Sequence, residues 1–224
     1  MCVINDNNLC VDATNKAYGY IVVRVIHTDN KRYKLRISTD AYSYVYDISD
    51  IPTTAPLQMG DGIYTIQLYC NAYNNKYYIV GAVSLDVKLV DEYAPFLHAN
   101  QYVDYDDNQQ IKNIATELSD VDDIKYYIEH HFVYDYIYAV TAKRESMMPN
   151  INRLLSTHMG ICQDFAALTV ALMRINNIPS RLVIGVANNQ YHAWVEYDYD
   201  WKLYDPTSVI TGMENKNYEK ERIY

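Results

Sequence analysis

Residues 160–175, GICQDFAALTVALMRI, decide how this chain is read. Phe165, Leu168, Leu172 and Ile175 recur at helical spacing and predict an amphipathic helix with one face to bury. Pro179, in the run Ile178–Ser180, stops that helix, and Gly160 gives it a flexible approach. Cys162 falls in the first turn, at the positive end of the helix dipole and beside N–H groups that lack an intrahelical partner. Such surroundings favour the thiolate, the nucleophilic form of cysteine. A lone cysteine ahead of an apolar helix is equally well a small core residue, since cysteine is among the most buried residue types. The residues that follow separate the two readings.

Three short segments come next. Arg181–Val186 is an apolar run of strand length, and Tyr191–Tyr197, YHAWVEY, sets His192, Trp194 and Glu196 on one face of a second strand. Trp201–Asp205 is a third strand, ended by Pro206. Asn188–Gln190 and Asp198–Asp200 are turn-like, so the three predict an antiparallel meander packed on the helix. A thiol nucleophile needs a base to take its proton and an acceptor to orient that base. A meander of this kind brings His192 and Asp205 within hydrogen-bond reach and turns both towards Cys162. The order Cys, His, Asp follows the logic of the cysteine proteases.

The blocks Gly160-Ile161-Cys162-Gln163-Asp164-Phe165-Ala166, Asn177-Ile178-Pro179-Ser180-Arg181, Gly185, His192-Ala193-Trp194-Val195-Glu196 and Trp201-Lys202-Leu203-Tyr204-Asp205-Pro206-Thr207 stand in one order. In them the chain resembles the transglutaminase-like superfamily of papain-type thiol enzymes, including its bacterial transglutaminase-like and protease-like members. Strong agreement covers about a quarter of the chain, with looser agreement from about residue 108. The resemblance implies Cys162 as nucleophile, His192 as general base and acid, and Asp205 as the residue that orients the imidazole. Trp194 and Gln163 are candidate substrate-side residues. Trp194 either walls a cleft or packs under the sheet. Gln163 either lends its amide to an oxyanion site or leaves that task to the backbone N–H of Cys162. Asp164 fits the same pattern, although the helix dipole alone accounts for a carboxylate there.

Upstream, Gln109–Leu118 and Asp120–Tyr134 read as helices, the second opened by acidic residues suited to its dipole. Asp104, Asp106 and Asn108 begin like a calcium loop, but Gln109 stands where glycine is needed and Ala115 where the closing glutamate is needed. His130 and His131 are adjacent on a helix and point apart, a poor chelate. No metal and no cofactor is expected.

Residues 1–100 are strand-rich. Tyr33, Leu35 and Ile37 alternate with Arg32, Lys34 and Arg36, and Tyr42, Tyr44 and Tyr46 repeat the period. Tyr20–Ile26, Ile63–Cys70, Tyr77–Val83 and the alternating run Leu85–Val90 complete the set, with Asn71–Lys76 as a turn and the loop around Pro52, Pro56 and Gly60–Gly62 at one end. The expected architecture is α+β: an immunoglobulin-like β-sandwich over residues 1–100, then a papain-like or transglutaminase-like core over 101–224 with its nucleophile at a helix N-terminus on an antiparallel sheet.

The 224 residues suffice for two modest domains, and half of them are hydrophobic. A formal charge of −9 without clustered Lys or Arg argues against nucleic acid or an anionic membrane as partner. No apolar run has the length of a membrane span, and the start MCVINDNNLC has neither the basic nor the apolar region of a signal peptide. A removed leader would leave an extracellular or cell-surface location open. Cysteines at 2, 10, 70 and 162 show no zinc spacing; Cys2 and Cys10 are either a small loop closure or free thiols. The 25 tyrosines read as source bias or, alternatively, as an aromatic binding face. The resemblance implies a thiol enzyme acting on protein or peptide amides, and the absence of a calcium loop favours a cysteine protease or amidase. Two alternatives stand beside it. One is a protein-glutamine gamma-glutamyltransferase that cross-links. The other is a non-catalytic protein whose N-terminal β-domain binds a surface protein or glycan.

Overall fold

A computed structural model describes residues 3–27, 29, 31–141, 148–214 and 216–224. It divides into two compact units, Met1–Gln101 and Tyr102–Tyr224. The architecture is mixed, with helices in the second unit and antiparallel sheets in both.

The first unit holds eight strands: β1 (Val3–Asp6), β2 (Leu9–Asp12), β3 (Tyr20–Val25), β4 (Tyr33–Ser38), β5 (Ser43–Ile48), β6 (Thr53–Pro56), β7 (Gly62–Tyr73) and β8 (Lys76–Val87). They form two four-stranded sheets, ordered β1-β2-β3-β6 and β5-β4-β7-β8. Period-two alternation sets the faces. Leu35 pairs with Leu68 and Ile37 with Ile66, all four fully buried, while Lys34 and Arg36 between them face outward. Leu9, Val11, Ile21 and Val23 bury the corresponding face of the other sheet.

Three expectations are corrected here. β8 runs unbroken to Val87, because its long pairing with β7 absorbs a bulge at Leu68/Tyr69 and does not end at Val83. The turn after β7 is confined to Asn74 and Asn75, with Asn74 at positive φ. The stretch between Pro52 and Pro56 is not only loop: Thr53–Pro56 pairs with β3 as an edge strand, where proline is tolerated. Cys10 and Cys70 are free thiols; Cys2, the proposed partner of Cys10, lies outside the described residues.

The second unit contains α1 (Gln109–Glu117), α2 (Val121–His131), β9 (Val133–Tyr134), α3 (Tyr136–Thr141), α4 (Ile151–Thr157), β10 (Met159–Gly160), α5 (Cys162–Ile175), β11 (Ser180–Ala187), β12 (Gln190–Tyr197), β13 (Lys202–Tyr204), α6 (Pro206–Thr211) and β14 (Glu219–Ile223). Asn108 caps α1 by accepting from Ile111 N, and Asp120 caps α2 by accepting from Asp122 N and Asp123 N. The second helix ends at His131 and not at Tyr134. Val133 and Tyr134 leave it to pair, in parallel, with Met159 and Gly160, a distant partner that local periodicity cannot announce.

The main sheet has the order β13-β12-β11-β14, all antiparallel. It is the expected meander plus a fourth strand from the C-terminal segment. Helix α5 packs on β11 and β12, and also meets α1, α2, α4 and α6. Every residue from Cys162 to Arg174 is therefore buried, so α5 is a central helix and not an amphipathic one. Arg174 at its end donates from Nε to Ser180 O and from Nη2 to Tyr224 O, which ties the helix to both chain ends of the sheet.

Candidate active site

Cys162 is the first residue of α5, with Ile161 as N-cap. Asp164 fixes this turn: its Oδ2 accepts from Ile161 N at 3.1 Å and its Oδ1 from Asn150 N at 2.8 Å. Burial pushes the Asp164 carboxyl above its ordinary range, and the two backbone donors only partly oppose that. Gly160 lets the backbone run close to α4, since a Cβ there would lie 2.7 Å from Leu154 Cδ1.

His192 is the third residue of β12, and Asp205 follows β13 directly. Nε2 of His192 donates to Oδ2 of Asp205 at 2.8 Å. The Cys162 thiol also bears on the ring and raises it. Burial by itself would push the imidazole down. The hydrogen bonds and charges of Asp205 and Cys162 outweigh it and raise the group to about 9, so it is an imidazolium at neutral pH. Asp205, only 6 % exposed, is also the N-cap of α6: Oδ1 accepts from Thr207 N (3.0 Å) and Ser208 N (3.1 Å). Its Oδ2 further accepts from Ser208 Oγ and Tyr218 Oη, each at 2.8 Å. The carboxylate is thus held by five donors.

Cys162 and His192 both line a cavity of about 480 Å³. Tyr134, Tyr136 and Met213 give it apolar and aromatic walls, and Gln190, Thr207 and Glu214 polar ones. The Thr207 hydroxyl is buried without a hydrogen-bond partner. Burial and the neighbouring Cys162 raise the Tyr134 phenol to about 12, so it remains a neutral donor.

Trp194 and Gln163 do not line this cavity. Trp194 is 1 % exposed and stacks beneath His192, at 6.4 Å between ring centroids. Gln163 is wholly buried with neither amide atom bonded. One residue along a helix is a turn of 100°, which carries its side chain away from the direction of Cys162.

Pro206 lies just past the end of β13. It also opens a helix, since proline at the first helical position lacks only an N–H that would have no partner. The pattern Asp-Pro-Thr-Ser is itself an N-cap signal that could have revealed α6. No such signal marked Tyr218.

Residues 107–206, somewhat less than half of the chain, match the family model described as Transglutaminase-like superfamily. Over 93 residues the chain is 30 % identical to an uncharacterized protein of Mycobacterium leprae, covering 36 % of this chain and 32 % of that one. It thus spans about a third of the length of that curated relative. Among solved structures it is similar to a "Putative Cysteine Protease" from Cytophaga hutchinsonii, with 15 % identity, a TM-score of 0.43, and coverage of 85 % of this chain and 79 % of that one.

Proposed function

We propose, from the transglutaminase-like core, that this chain is a thiol enzyme that cleaves amide bonds of a protein or peptide through an acyl-thioester on Cys162, with water as the acceptor. The observation that carries the proposal is the linked set Cys162, His192 and Asp205, two of whose members open on one cavity. Cys162 is the nucleophile. His192 holds the thiol's proton as imidazolium, and Asp205 fixes its ring and balances its charge.

The thiolate of Cys162 attacks the amide carbonyl, forming a C–S bond. The resulting oxyanion meets N–H groups at the start of α5, that of Cys162 first, which have no carbonyl partner within the helix. As the tetrahedral species collapses, the C–N bond breaks and His192 passes its proton to the leaving amine. Now neutral, His192 takes a proton from water, whose oxygen attacks the thioester. The acid is released and the thiolate–imidazolium pair returns. The polar wall of Gln190, Thr207 and Glu214 supports access of water to the thioester.

The proposal extends to the first unit as an immunoglobulin-like sandwich that supports or presents the enzyme. The orders β2-β3-β6 and β5-β4-β7-β8 are consistent with that topology. So is Tyr64 near the start of β7, whose hydroxyl donates to backbone carbonyls upstream, Leu57 O at 3.0 Å or Gly60 O at 2.8 Å.

The test is intact-mass spectrometry after incubation with an electrophilic peptide probe. One adduct on the native chain, absent from Cys162→Ala and slowed in His192→Ala, is the expected result. An unlabelled native chain that is folded sinks the proposal. Adding a primary amine to a peptide digest then separates hydrolysis from cross-linking, since only the latter joins the amine to the product.

A further inference from the structure

The C-terminal segment brings an aromatic residue to the back of the site, where no motif predicts one. Tyr218 immediately precedes β14, and its hydroxyl lies 2.8 Å from Oδ2 of Asp205, the same oxygen that receives His192 Nε2. Its ring meets Trp194 edge-on at 5.0 Å and tilts towards His192 at 6.4 Å. The backbone is built for this approach. Gly185 on β11 faces the start of β14, and a Cβ there would come within 2.1 Å of Glu219 O and 2.9 Å of the Trp194 ring. A pairing irregularity at Ile184/Gly185 lets β14 shift register at that point. Asn188 anchors the other end of the segment, accepting from Lys216 N at 3.0 Å and donating to Glu214 O at 3.3 Å. The phenol stays protonated, because burial and its bond to Asp205 both raise it above the ordinary tyrosine range.

From this geometry we infer that Tyr218 is a positioning residue: its hydroxyl, with that of Ser208, holds the Asp205 carboxylate in the orientation that presents Oδ2 to His192. It is not one of the residues that line the cavity, so it acts through Asp205 and not on substrate. Three donors converge on one oxygen, and together with the two N–H bonds to Oδ1 they fix the rotation of the carboxylate. The inference rests on the thiol-enzyme proposal and adds to it a residue outside the matched region 107–206.

The experiment is acylation of the whole chain by p-nitrophenyl acetate, followed by nitrophenolate release and by mass at Cys162. Native protein, Tyr218→Phe, Asp205→Asn and the double variant are compared, with Cys162→Ala as the blank. Asn keeps an acceptor for the α6 cap, and circular dichroism and thermal unfolding check that the Asp205→Asn background is folded. Tyr218→Phe is expected to slow acylation about 2- to 12-fold, the range that one net hydrogen bond covers, with the half-saturating ester concentration unchanged. In the Asp205→Asn background the same change is expected to cost less than about 1.5-fold, because no carboxylate is left to hold. Equal losses in both backgrounds, or none in either, overturn the inference while leaving the enzyme proposal intact. Native protein that acylates no faster than Cys162→Ala overturns both.

Discussion

The two units treat buried polarity in opposite ways. In the first, the buried polar residues other than tyrosine, among those described, are Ser38, Gln58 and Asn100, none charged at neutral pH. In the second, Asp135, Asp164, Arg174, His192, Glu196 and Asp205 are all buried. Each has named partners: Arg153 bridges to Asp135, and Arg181 and Lys220 converge on Glu196. A core made from alternation is held by area and tolerates replacements of similar size. A core threaded with paired charges is held by geometry, and loss of one partner strands the other in a poor solvent. The difference identifies the second unit as the place where precise side-chain placement matters, before any reaction is assigned to it.

Removal of single groups sharpens this contrast, starting with the greatest effect. Cys162→Ala is expected to abolish probe labelling while leaving thermal unfolding nearly unchanged, as read by mass and by calorimetry. Labelling that persists on another cysteine would relocate the chemistry. His192→Ala is expected to slow acyl transfer by about 10²- to 10⁴-fold, the usual contribution of a positioned acid–base group; stopped-flow traces on both proteins check it. A milder effect comes from pH. Because His192 is raised to about 9, amide turnover is expected to fall as pH rises through that value, when the leaving amine loses its acid. The sign for stability is the same. A raised group contributes fully below its ordinary value of 6.5, and the contribution is lost on the way up through about 9. An alkaline limb near neutrality would contradict the hold of Asp205 on the ring. The smallest effect on chemistry is expected from Leu68→Ala. It should lower the stability of the first unit by about 2–5 kcal/mol yet leave the labelling rate of Cys162 untouched. A matching fall in both would erase the contrast between the units.

The elements near the site were legible where apolar runs had strand length. Arg181–Val186 and Tyr191–Tyr197 lie within one residue of β11 and β12 at each end. Cys162, His192 and Asp205 stand in compact blocks that draw notice by residue type alone. Several of the misses share one cause, partners remote in sequence. β9 exists because Met159 and Gly160 pair with it, and β6 because β3 does. The total burial of α5 depends on four other helices and a sheet, so its apparent one-sided pattern was too modest a reading. Trp194 shows the limit of face assignment. Alternation sets it on the side of His192 but does not tell depth, and it lies under the cavity instead of along it. Tyr218 was invisible because its role depends on a register shift between two strands.

The two oxygens of Asp205 divide their duties: Oδ1 secures the start of α6, while Oδ2 faces the imidazole. Fold and chemistry therefore meet at one residue yet can be separated by a single atom. An Asp205→Asn replacement keeps an acceptor for the cap and forfeits the counter-charge. Under the proposed reaction, a silent protein that keeps the start of α6 is one substitution away, and the cost falls on the imidazole left without its counter-charge.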